Sequence, residues 1–302
     1  MTGKIRFAPS PTGYLHEGHL LSALYVWAAA KKWDLHIHLR IEDHDRGRTR
    51  QAYIDGIRED LEWMGFEHHS ESIQSERTAI YQGVLQKLIE KDLVYPCTCS
   101  RKQLEAENPK SGTGEIIYQG KCRCLAETLK AEGEKETEGS LPPHNLRFKL
   151  ADKVINWNDY RLGPFAENPA NQCGDFPIRD RERCWTYQFA VCVDDIDQDI
   201  THIIRGEDIR NSTARQIALS GSICDVLGKP YKQPLYLHHA LIVDSTGKKL
   251  SKRELAHSIR QDKEEGISPE ELLGRVLFKA GIHSEDCPTS INEAIGEIAE
   301  SL

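Results

Sequence analysis

The chain has 302 residues, enough for about two domains and for a core that needs no staple of disulfides or metal. Hydrophobic residues make up 39% and charged ones 28%, which excludes a disordered chain and a membrane protein. The formal charge of −8 excludes a polybasic nucleic-acid binder, although a local basic face on an acidic chain leaves RNA open.

Lys4 to Ala8 reads as a strand, followed by the turn Pro9-Ser10-Pro11-Thr12-Gly13. A helix from about Gly18 to Trp33 follows, with Leu20, Leu21, Leu24, Tyr25 and Ala28 at helical spacing. The opening residues lack the apolar run of a signal peptide, and Leu20 to Ala30 is too short to span a bilayer, so a cytoplasmic location and no membrane contact are expected. His36 to Ile41 is a second strand, and Thr49 to Met64 and Glu76 to Lys91 are helical. This alternation predicts an α/β fold with a parallel sheet flanked by helices.

From Cys97 to about Gly174 the character changes: a cysteine cluster, the Gly-rich turn Ser111 to Gly114 and a charged low-complexity run ending in Pro142-Pro143. This predicts an inserted subdomain with a solvated loop at Ala131 to Pro143. Strand-like sequence resumes at Tyr187 to Val193 and Ile200 to Ile204, then a helix from Ser212 to Leu227 and a strand around Leu241 to Val243. From Glu254 the chain reads as helices, one with the cap-like start Ser268-Pro269-Glu270-Glu271. There is no internal repeat.

The sharpest chemical signal is Arg6-Phe-Ala-Pro-Ser-Pro-Thr-Gly-Tyr-Leu-His16-Glu-Gly18-His19, at a strand–turn–helix junction. A helix start offers unpaired N–H groups and a positive dipole end to phosphate, Gly18 permits close approach, and two imidazoles donate hydrogen bonds. The second signal is Lys248-Lys249-Leu250-Ser251-Lys252-Arg253 after the turn Asp244 to Gly247; clustered lysines there can neutralise a triphosphate. Of the nine cysteines, Cys97, Cys99, Cys122 and Cys124 cluster, and two Cys-x-Cys pairs are able to converge on one tetrahedral ion. The plain alternative is four reduced thiols holding nothing. Asp194 and Asp195 fit acid/base work, Mg2+ binding or a cap on the turn into Ile200, and the structural cap is the preferred reading. His36, His38, His68, His69, His238 and His239 are read as surface or sheet residues, and Trp157, Trp185 and Tyr236 as core.

Together the two nucleotide motifs resemble those of class I aminoacyl-tRNA synthetases. Arg6 to His19, Leu39 to Asp43, Tyr187 to Asp195 and Ile204 to Asp208 resemble the catalytic core of glutamyl-tRNA synthetases, with His16 to His19 as the "HIGH" and Lys249 to Arg253 as the "KMSKS" signature. The length resembles that of the short paralogue group, the glutamyl-queuosine tRNA(Asp) synthetases, because residues 254–302 are too few for a full anticodon-binding region.

The resemblance implies a Rossmann-like catalytic domain over residues 1–96 and 175–253, an inserted zinc-binding and acceptor-binding subdomain over 97–174, and a short helical C-terminal part over 254–302. It implies a ligase that activates L-glutamate with ATP and Mg2+ and passes it to queuosine at the wobble position of tRNA(Asp). A truncated enzyme charging a tRNA acceptor end is the alternative. Arg6, Phe7, Ala8, Pro9, Ser10, Glu42, Tyr187 and Arg205 are expected to line the glutamate site, the arginines matching carboxylates and Glu42 the ammonium. His16, Gly18, His19, Lys249, Ser251 and Lys252 are expected to serve ATP, with His16, His19 and Lys252 catalytic. For zinc, one structural ion, the resemblance implies Cys97, Cys99, Tyr118 and Cys122, leaving Cys124 free. A monomer is expected. Arg179, Arg181, Arg183 and the 248–253 loop are candidate RNA contacts.

Overall fold

The structure, a computed structural model, describes residues 2–44, 47–127, 143–242 and 257–302. Its centre is a seven-stranded sheet. In chain order it contains β1 (Lys4–Phe7), β2 (His36–Ile41), β3 (Ser70–Ile73), β6 (Ile155–Asp159), β7 (Gly163–Glu167), β9 (His202–Gly206) and β10 (Leu235–His239), arranged β3-β2-β1-β9-β10-β6-β7. All neighbours are parallel except β6 and β7, an antiparallel hairpin. Ile5, Phe7, Ile37, Leu39 and Ile41 are buried, as expected of parallel strands covered on both faces.

The helix α1 (Glu17–Trp33) crosses from β1 to β2 and ends at Asp34, whose left-handed backbone (φ 52°) satisfies the last turn through its N–H to Ala30. Next come α2 (Gln51–Met64) and α3 (Thr78–Glu90), near their expected positions. The strand β4 (Val94–Cys97), the helix α4 (Arg101–Glu107), β5 (Asn145–Phe148) and β8 (Phe176–Arg179) follow; β4, β5 and β8 form a separate antiparallel sheet. The remaining helices are α5 (Tyr187–Asp197), α6 (Thr213–Leu227), α7 (Ile259–Glu264), α8 (Pro269–Lys279) and α9 (Ile291–Ser301). Ser268 caps α8 through a reciprocal bond with Glu271, as its sequence suggests. No described helix is long and apolar enough to cross a membrane.

Three expectations are corrected. Tyr187 to Val193 is not a strand but the first two turns of α5. Residues Phe189 to Asp194 are all buried, so the helix carries no polar stripe, and a continuous apolar run reads alike for a buried strand and a buried helix. The last parallel strand is not at Leu241 to Val243 but at Leu235 to His239, where two histidines interrupt the apolar pattern while lying fully inside the protein. Leu241 and Ile242 carry no strand and Val243 lies outside the described residues.

Residues 97–174 also do not form one body: the β6–β7 hairpin within them extends the central sheet through the pairing of Tyr236 with Asp159. The C-terminal helices likewise join the main core. Leu272, Leu273, Val276, Leu277, Ala294 and Ile298 are buried with Leu24 and Ala28 of α1. The expected loop at 131–143 falls almost wholly outside the described residues.

Candidate active site

A cleft of about 1230 Å³ opens beside the C-terminal ends of β1 and β9, where an open parallel sheet places its ligands. Every residue expected at the glutamate site lines it. Arg6 and Phe7 end β1, Ala8, Pro9 and Ser10 form the turn that follows, and Glu42 leaves β2. Tyr187 opens α5 and Arg205 lies on β9.

The other wall is the start of α1. His16 is its N-cap: the ring Nδ1 accepts from the Gly18 N–H at 3.1 Å, and the His16 N–H donates to His19 Nδ1 at 3.2 Å. With both Nδ1 atoms accepting, each neutral ring carries its proton on Nε2, the donor a phosphate needs. Burial, then the neighbouring His16, pushes the His19 imidazole down to about 3, so it stays neutral. A Cβ at Gly18 would stand 3.0 Å from the His16 ring and would press it out of place by a few tenths of an ångström. The loop bearing Lys248 to Arg253, and with it Lys249, Ser251 and Lys252, lies outside the described residues.

Behind the cleft runs a buried ionic network. Arg40, fully buried, donates through one terminal nitrogen to Asp195 at 2.7 Å and to Gln198 at 3.0 Å, and through Nε to Glu42 at 3.2 Å. Arg6 Nε donates to the same Asp195 oxygen at 3.1 Å. Burial works against charge at Asp195, but Arg6 and Arg40 outweigh it and hold the carboxyl below its ordinary value. At Glu42 burial wins over Arg40, His44 and Arg6, and its carboxyl sits above the ordinary range. Asp194 accepts from Gln74 at 2.8 Å, Arg77 at 2.7 Å and Tyr81 at 2.8 Å. The carboxylates of Asp194 and Asp195 therefore anchor arginines rather than cap a turn; the turn into Ile200 is closed by the backbone carbonyl of Asp195. Arg205 makes no ion pair with Glu207 or Asp208 among the described contacts; its partners are His238, Gln216 and Thr213.

At the end of β4 lies a second chemical group. Cys97, Cys99 and Cys122 place their sulfurs within 4.8 Å of one another, the one set among the described residues with metal-ligand spacing. The Tyr118 hydroxyl stands 3.5 Å from Cys97 Sγ and 3.8 Å from Cys99 Sγ. Cys124 is exposed and its thiol turns to the Lys121 carbonyl. Three converging sulfurs and an oxygen fit one tetrahedral ion. Burial pushes the Cys99 thiol up to about 11 and also raises the Tyr118 phenol, and a bound divalent cation is what reverses such shifts.

Residues 3–296 match the family of tRNA synthetases class I (E and Q), catalytic domain. The chain belongs to this family. It is 34% identical to the Glutamyl-Q tRNA(Asp) synthetase of Nitratidesulfovibrio vulgaris over 96% of this chain and 90% of that protein. It is 38% identical to the Glutamate--tRNA ligase of Aquifex aeolicus, over 89% of this chain but 55% of the ligase. The glutamate-tRNA synthetase structure from Elizabethkingia anophelis superposes with a TM-score of 0.75 and 27% identity, covering 99% of this chain and 66% of the other. The chain thus spans little more than half of that ligase and about two thirds of that solved synthetase.

As a class I synthetase-type ligase, the chain carries residues in its cleft that sequence reasoning missed. Tyr14, Arg48, Asp208, Ser258, Arg260 and Gln261 also line it. Ser258 and Gln261 form the capped start of α7, and Ser258 pairs with His16 in an isolated bridge. Ser258-x-x-Gln261 has the form of a capping box and was the available signal. The candidate RNA contacts are partly structural: Arg181 donates to the Cys99 carbonyl at 3.0 Å and Arg179 lies over the Trp185 ring. His38 sits between Ser70 and Ser72, a sheet residue as expected.

Proposed function

We propose that the protein activates L-glutamate with Mg-ATP and transfers it to queuosine at the wobble position of tRNA(Asp). The observation that carries this is the meeting, in one cleft, of a His-capped helix start with Arg6, Arg205 and the buried Glu42. Glutamate has two carboxylates and one ammonium; of the charged groups lining the cleft, Arg6 and Arg205 match the carboxylates and Glu42 the ammonium. An α-carboxylate oxygen of glutamate attacks the α-phosphorus, the bond to the β-phosphate breaks, and pyrophosphate leaves. A ring hydroxyl of queuosine then attacks the activated carbonyl, and AMP departs as the hydroxyl proton is released. His16 and His19 bind phosphoryl oxygens through Nε2–H, while Lys249 and Lys252 neutralise the leaving pyrophosphate and Ser251 hydrogen-bonds the nucleotide. Catalysis by this chain is positioning and charge neutralisation, with no protein nucleophile.

Cys97, Cys99, Tyr118 and Cys122 hold one structural zinc ion that fixes the insert against RNA. The protein works as a cytoplasmic monomer. Support for the acceptor is the near full-length match to a protein named for tRNA(Asp). The higher identity to a tRNA ligase favours a second reading, charging of an acceptor end.

Glutamate-dependent exchange of pyrophosphate into ATP, run with and without tRNA, tests activation; no exchange in either condition refutes it. Mass spectrometry of nuclease-digested RNA then separates the acceptors. Glutamate on a modified anticodon nucleoside supports the proposal, and glutamate on a terminal adenosine establishes the second reading.

A further inference from the structure

Arg6 and Arg205 face the same cleft but are held differently. Arg6 is bonded directly to a carboxylate, Asp195. Arg205 is held by three neutral groups: Nε donates to His238 Nε2 at 3.0 Å, one terminal nitrogen to Gln216 Oε1 at 2.7 Å, and the other to Thr213 Oγ1 at 2.8 Å. A guanidinium has five N–H donors, so one remains on each terminal nitrogen of this cleft-lining arginine.

The tautomer of His238 makes this possible. Asp159 Oδ2 accepts from both the His238 backbone N–H at 3.0 Å and its Nδ1 at 2.7 Å, which fixes the ring proton on Nδ1 and leaves Nε2 as an acceptor. Asp159 is itself set by the backbone N–H groups of Arg161 at 3.0 Å and Leu162 at 2.9 Å, at the turn of the β6–β7 hairpin. Both Asp159 and His238 are fully buried. A carboxylate in place of His238 would pair with Arg205 and compete with a ligand for its charge. The neutral imidazole orients the guanidinium instead and leaves its charge to the cleft.

We propose that His238, oriented by Asp159, is the positioning residue that aims Arg205 at a carboxylate of the amino-acid substrate. This rests on the glutamate reading above and extends it to residues that do not line the cleft. The hairpin that sequence reasoning assigned to the insert thereby supports the amino-acid site from behind.

Two polar variants separate this from a merely structural role. His238→Asn keeps a donor for Asp159 but has no atom where Nε2 stood; His238→Gln places an acceptor near that position. In glutamate-dependent pyrophosphate exchange, His238→Asn should raise the KM for glutamate about tenfold, the scale of a lost hydrogen bond to a charged group. The KM for ATP should stay at the wild-type value, and His238→Gln should restore most of the loss. An unchanged glutamate KM in His238→Asn overturns the proposal, as does an equal loss in both variants or a parallel rise in the KM for ATP. If His238→Asn does not fold, a wild-type ratio of the two KM values in His238→Gln supports the proposal and a raised glutamate KM in it overturns the proposal. Absence of exchange in the wild type would instead refute the glutamate reading itself.

Discussion

Behind the cleft, Arg6 and Arg40 find Asp195 across 189 and 155 residues of chain. In the cysteine group, contacting pairs are separated by 4 to 23 residues. The first arrangement exists because the central sheet brings β1 and β2 against α5, so its charges are fixed by the whole fold. The second is a local knot on a small sheet of its own. Damage to the first should therefore spread to global stability, whereas damage to the second should stay near the insert.

The strongest test of that contrast is Arg40→Leu. It leaves Asp195 and Glu42 buried without their shared cation, a loss of about 3–5 kcal/mol. Denaturant unfolding measures it, and a loss below about 1 kcal/mol, the scale of an exposed pair, would end the distinction. Substrate choice sharpens the same comparison. With arginines facing the cleft, glutamine should be activated at least about a hundredfold less efficiently than glutamate, because its amide leaves a buried cation unpaired. Equal kcat/KM values for the two would remove the arginines from side-chain recognition.

On the local side, Cys97→Ser should abolish zinc binding measured by elemental analysis, while Cys124→Ser keeps it and both retain pyrophosphate exchange. Zinc retained in Cys97→Ser, or exchange lost with the metal, would break the separation of the two regions.

The smallest effect concerns Asp60 on α2, whose Oδ2 is buried without a hydrogen-bond partner. Burial pushes its carboxyl up to about 6, against an ordinary value near 3.8. The folded state thus prefers the protonated form; that preference is fully present below the ordinary value and is lost as pH rises through 6. Asp60→Asn should then stabilise the protein by about 1–2 kcal/mol above pH 6 and leave it unchanged below pH 4. Thermal unfolding across that range checks the sign.

The same difference in range explains what was legible beforehand. The His16-x-Gly18-His19 turn and the Ser268 cap are short patterns whose chemistry is complete within a few residues, and the cysteine cluster stands out as one rare residue type gathered in a single stretch. All eight expected glutamate-site residues reach the cleft because each lies at or near the end of an element beside it or in the turn that follows. The roles of Arg40, Asp194, Asp195 and Asp159 were illegible, since each depends on a partner that only the sheet order brings near. Tyr187 to Val193 misled for a related reason: a helix buried on all sides loses the polar stripe by which a sequence announces its period. The His238-His239 pair hid β10 because two polar letters mask a strand whose side chains are satisfied inside.

The end of the chain has a consequence for how such enzymes can vary. Helix α9 lies along α1, Lys32 of α1 donates to the Ala299 carbonyl, and Lys279 of α8 bonds both carboxylate oxygens of Glu17, one residue from the N-cap histidine. The final helices therefore behave as a buttress for the histidine-bearing helix and not as a detachable cassette. Exchange of these residues for an unrelated domain would strip apolar cover from α1 and loosen the His16–His19 turn at the same time. Any lengthening of the protein on this side is accordingly an addition beyond α9, with the buttress kept beneath it.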